Sequence, residues 1–593
     1  MSTPDPSART PPQIPFIIGN EACERFSFYG MRNILTKFLP ASLLLLHLPV
    51  AEREGAAAGI FHTFVMGVYF FPLLGGFIAD RLFGKYNTIL WFSLIYCAGQ
   101  VCLAMFVDDR AGFFTGLFLI ALGSGGIKPL VSAFVGDQFD RRNKHLAKRV
   151  YDAFYWSINL GSFFASLLMP IALRKEGPMV AFGIPGILMF VATVVFWFGR
   201  GRYIRVQPAP PNPNSFLRVS ATALFSKTNV TSPPTRALAI AGGILAALTL
   251  ALLPWCEEVP IAITAATLFV LLAGGAAWLR YEQQRGHGNR IGLVFAVYGV
   301  LVAAGSLALW HVIEPVPAIC LALVSFIALA GIGVSKSLEA ARAKHPGEAV
   351  DGVRAVLRIL IVFGLITPFW SLFDQKASLW VFQGNHMVQP EWFESSQMQV
   401  VNPGLIMILL PLMSLVIYPW LEKKRGKPLQ PLGKMSTGIG FAGFAFVGVA
   451  VIQLLLDGKT ELWIFWQIIP YVLLTCGEIL VSATGLEFAY SQAPLAMKGV
   501  IMSFFNLAVT VGNLWVLLAN SSVKHPAILS TIAETGLSER AFLMFFFATF
   551  AFAATFVFKL YARRYQMIDN YQHTAPAPTM PTSTIPKATA REK

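Results

Sequence analysis

Charge is scarce in this chain. Only 13% of its 593 residues are Asp, Glu, Lys or Arg, and 55% are hydrophobic. A soluble globular protein carries about 25% charged residues, so an ordinary water-soluble fold is excluded. Ten-residue stretches of apolar/polar alternation are also missing, which excludes a transmembrane barrel. The six cysteines (Cys23, Cys97, Cys102, Cys256, Cys320, Cys476) show no metal-ligand spacing and read as free, packed thiols. No nucleophile–base pair or His/Cys/Asp cluster is visible, so the chain is not read as an enzyme, and neither metal nor cofactor is expected. Acids are the scarcer sign: 31 against 46 bases, a net charge of +15. Zinc-finger spacing and aromatic-basic platforms are lacking, which argues against nucleic acid. The excess fits Lys- and Arg-rich cytoplasmic loops. The opening "MSTPDPSARTPPQIP" lacks the apolar core and cleavage site of a signal peptide, so the first membrane helix is expected to act as its own insertion signal.

What is abundant is long apolar sequence. Segments run near 14–46, 56–79, 86–107, 112–135, 150–173 and 179–199, then 237–255, 259–279, 291–311 and 317–335, then 355–382, 402–421, 436–456, 461–486, 498–520 and 540–562. Each is long enough for a bilayer core of about 30 Å. Basic loops such as "DRRNKHLAKR" (140–149), "RYEQQRGHGNR" (280–290) and "EKKRGK" (422–427) alternate with acidic or mixed loops such as "AEREG" (51–55) and "EEVP" (257–260). The alternation holds across all sixteen segments and predicts both termini on the cytoplasmic side. A fourteen-segment reading keeps the same parity.

The expected class is an all-α polytopic membrane protein of two six-helix bundles with helices inserted between them. Residues 1–13 form a cytoplasmic tail, 14–205 the first bundle, 206–353 linkers and inserted helices, 354–565 the second bundle, and 566–593 a disordered cytoplasmic tail. The Pro- and Ser/Thr-rich stretch 206–235 reads as a linker with an interfacial helix around 215–226. Residues 336–353 read as a second linker. Two six-helix halves suggest a transporter with its site between them.

Charges at membrane depth mark function. In "GNEACERFSFYGMRNIL" (19–35), Glu21, Glu24, Arg25, Tyr29 and Arg32 lie on one helical stripe. Such a set can line a polar cavity and exchange a proton; the alternative is a salt bridge at a helix end. Lys128 sits inside helix four. Asp374 follows Trp370 by one turn, and Glu478 is mid-helix with Ser482 one turn on. Structural packing is the alternative for both carboxylates. Asn402 opens its helix, where it can cap instead. His62 is either a core histidine or a proton carrier. The first half supplies mainly bases beside its Glu pair; the second supplies Asp374 and Glu478. A cavity between them suits a zwitterion with separated ends, such as a short peptide.

The stretches "NEACERFSFYGMR", "GGFIADRLFGKYNTI", "GSGGIKPLVSAFVGDQF", "FYWSINLGS", "FWSLFDQKASLW" and "GLEFAYSQAP" resemble the proton-dependent oligopeptide transporter (POT) family of the major facilitator superfamily. The first looks like the family's ExxER motif, here Glu21, Glu24 and Arg25. The resemblance implies a proton-coupled symporter for di- and tripeptides, working by alternating access, with protons, peptides and the bilayer as partners and a monomer as the unit. It places Arg25, Arg32 and Lys128 at the peptide carboxylate and charge network, and Glu478 at the amine. Tyr29, Tyr69, Tyr155, Asn159, Trp370, Asn402 and Ser482 would line the pocket. Glu21 and Glu24 would belong to proton coupling, together with Arg25, His62, Lys128, Asp374 and Glu478. His62 falls where animal-type members place a helix-two histidine, and Asp374 would pair with a helix-one arginine near the outer gate. Two positions depart from the pattern: Phe28 replaces a common Tyr, and Phe505 replaces a common Trp. Extra helices between the halves are typical of bacterial members, which implies a bacterial inner membrane. The alternative within the fold is another solute, such as nitrate, a drug or a modified amino acid.

Overall fold

The computed structural model describes residues 9–139, 146–208, 212–227, 290–308, 315–492, 497–523 and 526–565, with isolated residues at 143 and between 240 and 281. Among the described residues every regular element is helical. A segment surrounded by hydrocarbon must satisfy its own backbone groups, and the helix does so locally.

The first six crossings begin with α1 (Ile14–Phe38) and α2 (Val50–Phe70), which runs on through α3 (Pro72–Ile78). Then come α4 (Gly84–Met105), α5 (Arg110–Gly125) with α6 (Lys128–Asp137), α7 (Ala147–Glu176) and α8 (Pro178–Phe198). A short helix α9 (Phe216–Phe225) lies in the connecting region, followed by the inserted α10 (Ile291–Ala308) and α11 (Pro315–Ser337). The last six crossings are carried by α12 (Gly347–Asp374) with α13 (Leu379–Gly384), and by α14 (Val401–Leu412) with α15 (Tyr418–Arg425). They continue with α16 (Pro431–Asp457), α17 (Ile468–Glu478) with α18 (Thr484–Gln492), α19 (Lys498–Ser522), the short α20 (Pro526–Glu534) and α21 (Glu539–Arg564).

Eleven helical stretches among the described residues are long and apolar enough to cross a membrane. α1 is not among them, although its 25 residues exceed the shortest of them, at 23. The charges that set it apart are those of the opening motif, and all of Glu21, Glu24, Arg25 and Arg32 are buried. The expected segments near 237–255 and 259–279 lie largely outside the described residues, as do the tail 566–593 and most of the loop 140–145.

Local sequence explains several ends. The first segment stops at Phe38, ahead of Pro40, rather than reaching 46; short 3-10 turns follow. Asp109 caps α5 by accepting from the Gly112 N–H at 2.6 Å. Gly84 reverses the chain with a φ of 75°, a conformation that favours glycine. The stretch 336–353 is not a linker: it holds a 3-10 turn (Leu338–Ala343), and α12 already starts at Gly347. A helix does form in the connecting stretch, as α9 (Phe216–Phe225). It buries Phe216, Val219 and Ala223 and leaves Leu217 and Phe225 exposed.

The described helices bury two main cores. One gathers residues from α1 to α8, including Phe28, Ile34, Phe61, Phe134 and Phe182. The other gathers residues from α9 onward, including Val356, Phe369, Trp380, Phe446 and Phe547. α1 packs on α7 and α8, and α19 bridges the two sets by packing on both α2 and α12. This brings the two halves face to face along α1, α2, α12 and α19. Gly75 of the "GGFIADRLFG" stretch lies so close to α5 that a Cβ there would stand 2.3 Å from the Gly125 carbonyl oxygen. Only a residue without a Cβ permits so close a helix approach.

Candidate functional site

Three groups of polar side chains meet between the halves. The first is built on α1. Arg25 Nε donates to Glu21 Oε1 at 2.7 Å and lies 3.2 Å from Glu24 Oε2. Glu21 and Glu24 are fully buried. Glu21 Oε2 and both Glu24 oxygens accept no hydrogen bond. Two buried carboxylates thus share one guanidinium, and a buried carboxylate oxygen without a donor is costly while ionised. A proton relieves that cost.

Lys128 faces this group from α6. The fourth crossing is not one helix: it breaks at Gly126–Ile127, and Lys128 is the first residue of α6. Pro129 fits there because the first turn needs no N–H from it. Lys128 therefore stands at a helix start in mid-span rather than inside a helix. Its ammonium lies 3.4 Å from the centroid of the Phe28 ring and 4.7 Å from that of Tyr69. It is within electrostatic reach of Glu24 and Arg25. Phe28 packs edge-on against Tyr29 at 5.3 Å. The residue that breaks the family pattern is the residue that cradles the lysine.

The second group joins the halves. Arg32 Nη2 donates to Asp374 Oδ1 at 2.5 Å. Asp374 Oδ2 accepts from Asn513 Nδ2 at 2.8 Å, and Asn513 Oδ1 lies 2.7 Å from His62 Nδ1. Because the Asn513 amide N–H₂ is directed at the carboxylate, its oxygen faces the ring, and His62 Nδ1 must carry the proton. His62 Nε2 lies 2.9 Å from Ser378 Oγ. A neutral ring accepts there; a charged ring donates. Arg32 also stacks over Phe61 at 5.2 Å. The expected Asp374–arginine pair is thus formed with Arg32. Arg32 is engaged there rather than free to meet a ligand carboxylate in this conformation.

Further bonds reinforce this end. Thr36 Oγ1 donates to the Ala377 carbonyl at 2.7 Å, and Gln399 Nε2 donates to the Asn33 carbonyl at 3.2 Å. Glu394 is shared by Lys37 at 3.2 Å and Arg174 at 3.3 Å, and Arg540 pairs with Glu54. All of these sit toward the C-terminal end of α1 and α7 or the N-terminal half of α2.

The third group is on the other wall. Asn402 accepts from Lys376 Nζ at 2.7 Å and donates to Glu478 Oε2 at 2.7 Å and Thr475 Oγ1 at 3.0 Å. Asn402 is thus a bridge between a buried cation and a buried anion, not a helix cap. Lys376 also lies 3.2 Å from the Phe373 ring centroid. α17 gives way to a π-helical turn over Ile479–Ala483 directly after Glu478. Such turns re-aim side chains and are frequent at functional sites. Ser482 lies in that turn.

Aromatic side chains line the space between. Trp370 and Phe505 meet edge-to-face at 6.2 Å, and the Trp370 Nε1 has no partner. Tyr155 is 40% exposed, yet within electrostatic reach of Glu478 and Tyr29. Asn159 donates to the Tyr155 carbonyl at 3.0 Å.

Sequence reasoning overlooked Lys376, Asn513 and Ser378. Lys376 was the legible one: it stands inside "FWSLFDQKASLW", two residues beyond Asp374. Asn513 and Ser378 are uncharged and carried no signal until their neighbours were known.

A family profile described as PTR2, POT family, matches residues 86–247 and 258–534. Solute carrier family 15 member 2 of Mus musculus is 30% identical over 497 residues, 80% of this chain and 54% of that protein. The chain spans about half the length of the curated relatives it matches. The crystal structure of an auto-inhibited POT family peptide transporter superposes with a TM-score of 0.82 at 53% identity, covering 96% of this chain and 99% of that one. The structure of the POT family transporter PepTSo gives a TM-score of 0.82 at 54% identity, covering 95% and 100%. With the buried motif of α1, the paired gate and the bridged carboxylate in place across both halves, the chain belongs to the POT family.

Proposed function

We propose that the protein is a proton-coupled symporter that imports di- and tripeptides by alternating access. The bundles 14–205 and 354–565 rock about the site, and 206–353 supplies the inserted helices. The carrying observation is the opposition of two walls. Glu21, Glu24, Arg25 and Lys128 form one; Lys376, Asn402 and Glu478 form the other. A zwitterion of peptide length places its carboxylate toward Lys128, Arg25 and, once the gate opens, Arg32. Its amine goes to Glu478. Coulomb attraction in a partly dry cavity amounts to about 4 kcal/mol at a separation of 4 Å. Tyr29, Tyr69, Tyr155, Asn159, Trp370, Ser482 and Phe505 shape the pocket around the side chains.

Proton coupling rests on the carboxylates. Protonation of Glu21 or Glu24 removes an anion that Arg25 must otherwise share. Protonation of Glu478 frees Asn402 and Lys376. Protonation of Asp374 loosens Arg32 and the gate, and a charge gained by His62 at Nε2, beside Ser378, does so by competing with Arg32 for Asp374. The bonds that cluster at the C-terminal end of α1 make this conformation closed at that end, which the loop charges assign to the outside. We place the chain in a bacterial inner membrane as a monomer, with both termini in the cytoplasm and no cofactor beyond the proton gradient. A potential of 100 mV adds about 2.3 kcal/mol per charge moved.

The test is reconstitution. Uptake of labelled dialanine into proteoliposomes should rise sharply when the outside is made acidic. Substituting E21Q, E24Q or E478Q should abolish gradient-driven uptake while at least one of the three still exchanges peptide. Unchanged gradient-driven uptake in all three overturns the coupling assignment. Competition by nitrate or drugs but not by dipeptides overturns the substrate.

A further inference from the structure

Away from the site, the loop "EKKRGK" and the end of α21 form a second polar feature. Together they bound a groove of about 810 Å³ between α15, α16, α21 and the π-helical turns that follow α14 and α17. Five cations rim it: Arg425, Lys427, Lys434, Lys559 and Arg563. None of them forms an ion pair with a described residue. Two acids stand near. Glu422 is already occupied, accepting from the Leu429 N–H at 2.9 Å, and Glu487 lies near Tyr418. With five cations against these two acids, the rim carries a net positive charge.

The floor is different in kind. Met413, Ile417, Phe441 and Leu480 make it apolar. A π-helical turn over Met413–Ile417 interrupts the helix between α14 and α15 along this floor. The Tyr418 hydroxyl is buried there and has no hydrogen-bond partner, while Lys434 lies 4.4 Å from its ring centroid. Beside the rim, Trp420 is 57% exposed, as befits an aromatic residue at a membrane–water interface.

We infer that this groove binds an anionic phospholipid, with the phosphate on the basic rim and an acyl chain along the apolar floor. Basic pockets between membrane helices on the cytoplasmic side hold acidic headgroups. Arg425 and Arg563 can each grip a phosphate through two N–H groups. Tyr418 supplies a donor that the protein itself leaves unused. A soluble phosphate would use the rim and leave the floor uncovered; a zwitterionic lipid would cover the floor and leave the rim unneutralised. Only an anionic lipid matches both. Leu480 belongs to the helical turn that follows Glu478, so the bound lipid braces the back of the helix that carries this carboxylate. The lipid site stands independently of the peptide reading.

The purified full chain in detergent is titrated with phosphatidylglycerol, phosphatidylcholine or inorganic phosphate, and bound molecules are counted by native mass spectrometry. Phosphatidylglycerol should stay bound where phosphatidylcholine dissociates. The K434Q/R563Q variant should bind phosphatidylglycerol about thirtyfold more weakly, as expected on removing two cations from the headgroup. K336Q/R358Q, which neutralises a different pair of bases, should bind like the parent. I417W fills the floor without touching a charge and should also weaken binding while leaving inorganic phosphate without effect. Undiminished phosphatidylglycerol binding by both K434Q/R563Q and I417W overturns the site. Displacement of the lipid by inorganic phosphate, or equal retention of phosphatidylcholine, overturns the lipid assignment.

Discussion

The Lys128 ammonium and the Phe28 ring are held face to face, 3.4 Å from nitrogen to centroid. A hydroxyl was the contact expected to be missing at position 28. What stands there instead is a cation–π contact at the break in the fourth crossing. Such a contact contributes about 2 kcal/mol when desolvated. F28A should therefore lower gradient-driven dialanine uptake by about thirtyfold, since each 1.4 kcal/mol is a factor of ten. F28Y keeps the ring and should stay close to the parent. Initial uptake rates in proteoliposomes, normalised to inserted protein, decide between them.

Asn402 links Lys376 to Glu478, and N402L removes both bonds while keeping the number and branching of the side-chain heavy atoms. A hydrogen bond to a charged group contributes about 1.5–3 kcal/mol. Uptake should drop by about tenfold or more, and counterflow exchange should fall with it, because the amine site itself is disturbed. K376Q leaves Asn402 able to reach Glu478 and should impair uptake less than N402L.

Removing Asp374 leaves Arg32 buried without its partner, a change that costs about 3–5 kcal/mol in a buried pair. D374A should weaken closure at the C-terminal end of α1. A cysteine placed at Thr36 should then react with an impermeant maleimide added outside much faster than in the parent background. N513A, which breaks the chain between Asp374 and His62, should move labelling in the same direction by a smaller amount.

α19 and α12 touch through backbone at Gly512. A Cβ there would stand 2.6 Å from Trp370 Cβ and 2.9 Å from the Ser371 nitrogen. G512A should destabilise the protein by about 1–3 kcal/mol, the usual penalty of overpacking. Thermal unfolding in detergent should show the lower midpoint, and displacement of Trp370 should reduce peptide affinity as well.

Much of the architecture could be read from apolar length and loop charge, because a bilayer dictates both. The ends of the elements were less legible. Gly347 lies in a polar stretch with no apolar face of its own, so nothing marked it as a helix start; α12 extends there because Val350, Val353 and Val356 find buried partners. The break before Lys128 was similarly hidden, since "GSGGIKP" reads equally as a flexible helix or an interrupted one. In the site, ionisable residues announced themselves by their cost in hydrocarbon. What could not be read was pairing. That Arg32 meets Asp374, and that Asn402 mediates between Lys376 and Glu478, depends on how two halves far apart in sequence come together.

The closed end has two layers with different physical character. The inner pair, Arg32 and Asp374, is nearly inaccessible, with side chains 6% and 4% exposed. The outer set centres on Glu394, where the Lys37 and Arg174 side chains are 31% and 35% exposed. Dissolved ions screen exposed charges over about 8 Å at physiological ionic strength but hardly reach buried ones. Salt on the side this end faces, the outside in the proposed orientation, therefore loosens the outer latch and leaves the inner one intact. The ionic composition of the surroundings then becomes a dial on how readily this end reopens, separate from the proton gradient that the proposed symport uses.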